Sequence, residues 1–377
     1  MSAALGHVDH LVVGGGPAGA MAALRLREAG RQVTLIEKER AAHHKVCGEF
    51  LSHEAVTYLR SAGIAALDLG AASIDFVRLS AGRKTAEAKL PFRAVSLSRH
   101  VLDEALLQRA ADRGCEVMRG ATVDRLTANG GSWTAILSGG RTIAAQTVFL
   151  ATGKHDLRGL GRGSGVQSDL IGFKLHWRLA PAQTRELRDW MELFLFPSGY
   201  GGLSLVETEA ANLCLVVRRR ELRRIGSWQD LLAAAVNENR RLRHLLQDAR
   251  ELWPRTLAIS AIPYGYLAEQ SSGLWRVGDQ AAVIPSFTGD GMSIALHSAN
   301  LAAQMAVAGD SVDAYQRTLR AQLQHRISLA TWISRMIVTN AGRNLALQGV
   351  SLFPGTIGWI AASTRIPAKA LLLHQAC

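Results

Sequence analysis

Residues 10–14 are apolar after His10, residues 18–29 carry small and aliphatic side chains at helical spacing, and residues 32–37 are centred on apolar Val33, Leu35 and Ile36. The pattern predicts strand, helix and strand, the first βαβ unit of a parallel sheet. Residues 99–113 place Val101, Leu102, Ala105, Leu106 and Ala110 on one helical face, and residues 115–118 and 147–151 read as further strands. Between them, residues 121–145 alternate and turn at Asn129-Gly130-Gly131 and Gly139-Gly140, which predicts an antiparallel ribbon.

A second set of alternating segments lies outside this frame. Residues 76–95 read as a hairpin, and residues 172–179, 191–196, 203–207 and 212–217 read as strands joined by polar turns. Residues 227–252 are expected to be one helix, residues 273–278 a strand, and a helix starts near Met292 after a Pro/Gly-rich turn. The expected fold is α/β. A Rossmann-like dinucleotide domain is built from residues 1–75, 97–160 and 270–310, an antiparallel substrate domain (76–96 and 161–269) is inserted into it, and a helical C-terminal region covers 311–377.

Composition narrows this little. The chain has 377 residues, 48% hydrophobic and 20% charged, enough for two joined domains with large cores. Cys47, Cys115, Cys214 and Cys377 are far apart and form no CxxC, so neither a zinc site nor a disulfide framework is indicated and no metal is expected. With no signal-peptide pattern in residues 1–9, the expectation is a cytoplasmic protein. The net charge of +12 comes from scattered arginines without a nucleic-acid motif, so nucleic acid is not an expected partner. General surface basicity explains the charge, with contact to anionic membrane as the alternative. Residues 349–373 mix Leu352, Phe353, Ile357, Trp359 and Ile360 with Arg365 and Lys369, but Pro354, Gly355 and Gly358 interrupt them. Their apolar runs fall short of the roughly 20 residues a bilayer core requires. Core packing is expected, with a lid or a surface-lying amphipathic segment in peripheral membrane contact as the alternative.

The candidate chemistry begins at Gly14-Gly15-Gly16-Pro17-Ala18-Gly19, a GxGxxG between strand and helix. Gly14 permits the tight turn, Gly16 lets backbone approach a pyrophosphate at the helix N-terminus, and Gly19 allows helix to pack on strand. Glu37 ends the second strand where a carboxylate accepts from ribose hydroxyls and repels a 2′-phosphate. FAD or NAD is therefore favoured over NADP, although Lys38 and Arg40 lie close by.

Distant motifs then coincide: Lys45-Val46-Cys47-Gly48-Glu49, Ser98-Arg99 before Leu102-Asp103, Ala151-Thr152-Gly153, and Val277-Gly278-Asp279 followed by Pro285 and Gly289-Asp290-Gly291-Met292. With the GxGxxG, the chain resembles the FAD-dependent hydroxylases of the p-hydroxybenzoate hydroxylase type, and more closely their geranylgeranyl reductase branch, over residues 8–310. The resemblance implies FAD held by Gly14, Gly16, Pro17, Ala18, Gly19, Glu37 and Lys38. It also implies Arg99 at the phosphates or ribityl chain, Val123 at the adenine through its backbone, and Asp279 at the ribityl or pyrophosphate region. Cys47 and Gly48 would run beside the flavin. Gly289, Gly291 and Met292 would bring helix N-terminal amides to the flavin's pyrimidine edge, where negative charge develops on reduction.

The strand Phe194-Leu195-Phe196-Pro197 before Gly199-Tyr200 resembles the reductase branch's aromatic-x-aromatic-Pro strand, with Phe where prenyl reductases have Tyr and Trp. Phe194, Phe196 and Tyr200 are candidate substrate-wall residues, a plain core strand being the alternative, and Glu49 is a candidate substrate contact. The Trp-x-Trp-x-Ile-Pro signature of related halogenases is absent, and no second GxGxxG exists for a stably bound nicotinamide. The first expectation is a monooxygenase: NAD(P)H, docking transiently, reduces FAD, and a flavin hydroperoxide hydroxylates or epoxidises an apolar aromatic or polyketide-like substrate. The alternatives are saturation of a carbon–carbon double bond in a prenyl or lipid substrate, and a non-catalytic flavin-binding protein. No catalytic acid or base is assigned; Asp290 is nearest to the flavin turn, where an aspartate beside glycine is more often structural.

Overall fold

The computed structural model describes residues 4–269, 272–352 and 355–371. Phe353, Pro354, Cys377 and the expected domain limit at residue 270 lie outside the described residues. The chain opens with β1 (Ala4–Val13), α1 (Pro17–Glu28) and β2 (Val33–Glu37), then β3 (Phe50–Leu51), α2 (His53–Ser61) and the hairpin β4 (Ala72–Ala81) and β5 (Lys84–Ser96). Next come α3 (Arg99–Asp112), β6 (Glu116–Arg119), β7 (Val123–Asn129), β8 (Ser132–Leu137) and β9 (Thr142–Leu150). Strand β10 (Leu170–Arg178) and α4 (Pro181–Leu187) precede β11 (Asp189–Phe196), β12 (Gly199–Leu205) and β13 (Ala211–Arg218). Helices α5 (Arg219–Ile225), α6 (Trp228–Glu238) and α7 (Arg240–Leu245) lead to the short strands β14 (Arg250–Glu251), β15 (Leu257–Ser260) and β16 (Trp275–Arg276). The chain then turns helical, with α8 (Gly291–Ala308), α9 (Val312–Ile337), α10 (Asn340–Leu352) and α11 (Gly355–Thr364).

Two sheets result. The first has the order β6-β2-β1-β9-β8-β7, with β16 also on β9. Strands β6, β2, β1, β9 and β16 pair in parallel, and β7 and β8 add the antiparallel ribbon. Helix α1 lies against α3 and α8, and its buried glycine and alanines let it sit close on the sheet. The second sheet has nine strands in the path β14-β10-β13-β12-β11-β4-β5-β3, with β15 on β10. Its pairings are antiparallel apart from β4 with β11.

The second sheet is covered on both faces. One face packs Phe194, Phe196, Leu203 and Leu213 against Trp228, Leu231 and Leu242 of α6 and α7. The other packs Leu195, Tyr200 and Val216 against Ile333 and Ile337 of α9 and Leu347 and Val350 of α10. The C-terminal region is thus partly core, as expected, yet Trp332, Leu345 and Trp359 are 62%, 61% and 59% exposed.

Three boundaries differ most from the sequence reading, and the strand expected over 273–278 is confined to Trp275–Arg276. The expected helix over 227–252 is broken, because the Asn239 side chain accepts from Leu242 N and donates to Ser80 O, ending α6 and capping α7. The hairpin starts at Ala72, and Phe50–Leu51, inside the range assigned to the nucleotide domain, pairs with β5 in the second sheet. The strand expected over 203–207 starts at Gly199, since three glycines weaken its apolar signal.

Candidate functional site

One cavity of about 1130 Å³ runs from Glu37 past Gly14 and Gly16 to the 289–292 turn and on between the second sheet and α9–α11. Its nucleotide end is fixed by close approach. A Cβ on Gly14 would lie 2.5 Å from Ala151 O, and one on Gly19 would lie 1.8 Å from Gly14 O, so neither position tolerates a side chain. Gly16 caps α1 without a side-chain hydrogen bond, leaving first-turn amides for a ligand. Glu37 accepts from Gly15 N at 2.6 Å and Glu39 N at 3.0 Å, which aims a buried carboxylate into the cavity. Pro17, Ala18, Lys38, Val123 and Asp279 also border the cavity, Lys38 as a largely exposed side chain.

Arg99 and Lys45 converge here. A Cβ on Gly16 would meet Arg99 Nη2 at 3.4 Å and Lys45 Nζ at 3.9 Å, and both cations bind Asp103, at 2.6 and 2.8 Å and at 2.9 Å. Burial works against the Asp103 carboxylate, but Arg99 and Lys45 hold it below its usual range. Two cations facing one anion leave a positive surplus beside the uncapped helix, the charge a diphosphate needs. Lys45 enters the sequence reading only as the first residue of the Lys45-Val46-Cys47-Gly48-Glu49 motif, with no role assigned, and the structure sets it beside the Gly16 turn.

At the other end, Gly289 has φ 74°, and a Cβ there would strike the Phe50 ring at 2.5 Å. Gly291 opens α8 with nothing within 4 Å of its Cβ position, and α8, like α1, has no side-chain cap. Met292 is buried at the same turn. Asp290, read as structural, is buried and pushed up to about 6 by desolvation, against the pull of Arg365. The site therefore offers two free helix N-termini, a buried carboxylate and a cationic centre along one cavity, an arrangement that fits FAD.

The loop between these ends differs from expectation. Glu49, a candidate substrate contact, is fully buried: it accepts from Lys174 Nζ, from His176 Nε2 at 2.8 Å and from Arg99 N at 2.8 Å. Burial would raise its pKa, yet Lys174 and His176 hold it low, so it is a buried, charge-paired carboxylate at the cavity wall. His44 stands beside it, 4.2 Å from the Trp253 ring, and burial together with Lys174 lowers its pKa to about 4. His44, Glu49 and His176 place donor atoms within 4.8 Å of one another, but the Lys174 ammonium already satisfies the carboxylate. Cys47 is half-buried beside exposed Gly48, and its carbonyl accepts from Cys214 Sγ at 2.9 Å. A second cysteine thus adjoins the cofactor loop from β13, although burial pushes its thiol up to about 12.

The substrate wall is a correction of one residue in register. Phe194 and Phe196 do not face the cavity; they lie in the core beneath α6, because alternate residues of a strand point to opposite faces. Met191, Leu193 and Leu195 line the cavity instead, with Leu79, Val216, Ile333 and Ile337. Tyr200 does line it. Its hydroxyl lies 3.1 Å from Ser286 Oγ, to which Tyr264 donates at 2.8 Å, and burial keeps both phenols protonated. This protic group sits within an otherwise largely aliphatic wall.

Residues 7–150 match the family described as FAD binding domain. A menaquinone reductase from Mycolicibacterium smegmatis is 26% identical over 329 residues, covering 81% of this chain and 78% of its own. Digeranylgeranylglycerophospholipid reductase 2 from Methanopyrus kandleri is 26% identical over 311 residues, covering 79% and 76%. Among solved structures, a flavin-dependent brominase matches with a TM-score of 0.78 at 18% identity over 97% of this chain and 96% of its own. A geranylgeranyl bacteriochlorophyll reductase-like protein from Thermoplasma acidophilum matches with a TM-score of 0.72 at 20% identity over 97% and 94%. The two structural likenesses show the shared fold.

Proposed function

We propose, from the premise that this chain belongs to the FAD-dependent oxidoreductases of the p-hydroxybenzoate hydroxylase-like superfamily, in their geranylgeranyl reductase-like branch, that it saturates a carbon–carbon double bond in a prenyl-type substrate. The supporting observation is the cavity beyond the flavin turn. Its wall of Leu79, Met191, Leu193, Leu195, Val216 and Ile337 suits an aliphatic chain, and two reductases of isoprenoid-type names align with about four-fifths of this chain at 26% identity.

FAD bound in this site would supply the hydride-transfer chemistry. The protein's part is positioning and charge. The uncapped N-terminus of α8 favours negative charge at the flavin turn, and the aliphatic wall excludes water from the reacting double bond. Saturation also consumes a proton, and Tyr200, held protonated in the wall by burial and linked through Ser286 to Tyr264, is the group to provide it. NAD(P)H is the proposed donor, docking transiently, and the cytoplasm or its membrane face is the proposed location.

Oxygen-dependent hydroxylation or epoxidation of an apolar aromatic or polyketide-like substrate is the second reading, supported by Tyr200 as an aromatic side chain in the cavity wall. One experiment separates the two. The purified FAD-loaded protein is reduced without oxygen and mixed with a geranylgeranyl lipid that carries no quinone while flavin absorbance and the mass of the lipid are followed. Reoxidation dependent on the lipid supports the reductase. Reoxidation that requires oxygen, with oxygen incorporated into product, overturns it in favour of the second reading.

A further inference from the structure

The last carboxylate in the sequence is Asp313; the remaining 64 residues contain Arg317, Arg320, Arg326, Arg335, Arg343, Arg365 and Lys369 and no aspartate or glutamate. Seven cations without an anion is a segregation that general surface basicity does not produce. Among the described residues Arg317, Arg335 and Lys369 are exposed with no ion-pair partner, whereas Arg320, Arg343 and Arg365 pair with Glu269, Glu238 and Glu54 from elsewhere in the chain.

The same region holds Trp332, Leu345 and Trp359, each more than half exposed, and all three border the cavity described above. They come from α9, α10 and α11, which pack on one another, so three separate helices contribute an apolar side chain to one opening. Trp332 and Arg335 are three residues apart on α9 and so share a face. Beside them, β5 packs on α10 and α11 and adds exposed Lys84 and Lys89. Large exposed apolar residues with an unpaired arginine one turn away on the same helix, in a region of one charge sign, mark a surface built for an anionic, partly apolar partner.

We propose that this face docks on an anionic lipid bilayer, with Trp332, Leu345 and Trp359 in the headgroup layer and Arg317, Arg335 and Lys369 on lipid phosphates. Tryptophan suits that layer, since its ring is apolar and its indole N–H finds polar partners there. Among the described residues no single helix is long and apolar enough to cross a membrane, and the apolar pair 340–350 and 355–370 is bent by 112°. The cavity then opens toward the acyl layer, and an apolar chain passes into it without crossing water. This route rests on the prenyl-substrate reading above; the docking itself does not.

The test uses the full-length FAD-loaded protein and extruded vesicles, either pure phosphatidylcholine or an equimolar mixture with phosphatidylglycerol. Co-sedimentation with the anionic vesicles, weakened by salt and accompanied by a blue shift of tryptophan emission, is the expected result. The double variant Trp332→Ser/Trp359→Ser and the pair Arg335→Glu/Lys369→Glu should each weaken binding by about tenfold or more. Because all four side chains are exposed, both variants should keep wild-type flavin absorbance and melting temperature, which separates lost docking from lost folding. Equal binding to both vesicle types, no binding, or a concentration-dependent dimer abolished by the tryptophan changes would each overturn the proposal. If anionic vesicles bind but no prenyl lipid is turned over, the reaction assignment fails alone. If detergent-dispersed lipid is turned over without vesicle binding, the docking fails alone.

Discussion

Thr364 Oγ1 donates to Asp290 Oδ2 at 3.0 Å, tying the end of α11 to the turn that opens α8. The next residue, Arg365, reinforces the link: its guanidinium lies 2.7 Å from Glu54, 3.8 Å from Asp290 and 3.5 Å from the centre of the Phe92 ring. The C-terminal region is thereby coupled to the flavin turn through two side chains.

Asp290 makes this link pH-dependent. Its pKa of about 6 lies above that of an unfolded carboxylate, so its contribution to stability is full below the unfolded value and is lost as pH rises through about 6. On the order of 3 kcal/mol should disappear across that window. Asp290→Asn should flatten the pH dependence of urea unfolding between these values. An unchanged profile would assign the titration elsewhere.

The register of β11 makes opposite predictions for neighbouring residues. Phe194→Ala empties a core position and should cost about 3–5 kcal/mol of stability while leaving substrate preference alone. Leu193→Phe fills cavity space and should lower turnover of long-chain substrates with a small effect on melting temperature. Parallel melts and chain-length profiles of the two variants decide the matter.

Lys45 and Arg99 are expected to share the diphosphate. Lys45→Met should raise the FAD dissociation constant about tenfold and reduce its salt dependence, leaving the fold intact because Arg99 still satisfies Asp103. Flavin fluorescence titration at two ionic strengths measures both effects. Equal affinity in wild type and variant would remove Lys45 from the site.

The Glu49–Lys174 pair is fully buried, so breaking it from one side strands a charge. Lys174→Met should destabilise the protein by about 3–5 kcal/mol, and adding Glu49→Gln should recover part of that loss. A double-mutant cycle in urea reads the coupling, and purely additive losses would mean the two side chains act independently.

The nucleotide end was legible in the sequence because its determinants are local. Gly14, Gly16, Gly19 and Glu37 lie within one βαβ unit, and the spacing that defines the motif also defines the geometry. Glu49 was illegible for the opposite reason: its partners Lys174 and His176 lie 125 and 127 residues away, and beside Cys47-Gly48 it reads as an exposed loop residue. The misplacement of Phe194 and Phe196 has a third cause. Strand β11 is covered on both faces, so its apolar residues do not alternate cleanly, and aromatic size drew attention to the wrong parity. The break at Asn239 was readable in principle, since asparagine is a common helix cap.

Strand β16 takes its place beside β9 only after some 125 intervening residues, which include six of the nine strands of the second sheet, and α8 follows it. A nascent chain therefore emerges from the ribosome with its nucleotide motif complete and its flavin turn not yet made. The second sheet has to fold while the first still lacks an edge, a long-range closure of the kind that slows folding and exposes strands to aggregation. FAD, which can engage both ends of the site only once they coexist, is then as much a folding partner as a reagent. Yield in a heterologous host should rise with riboflavin supply even for variants that cannot turn over.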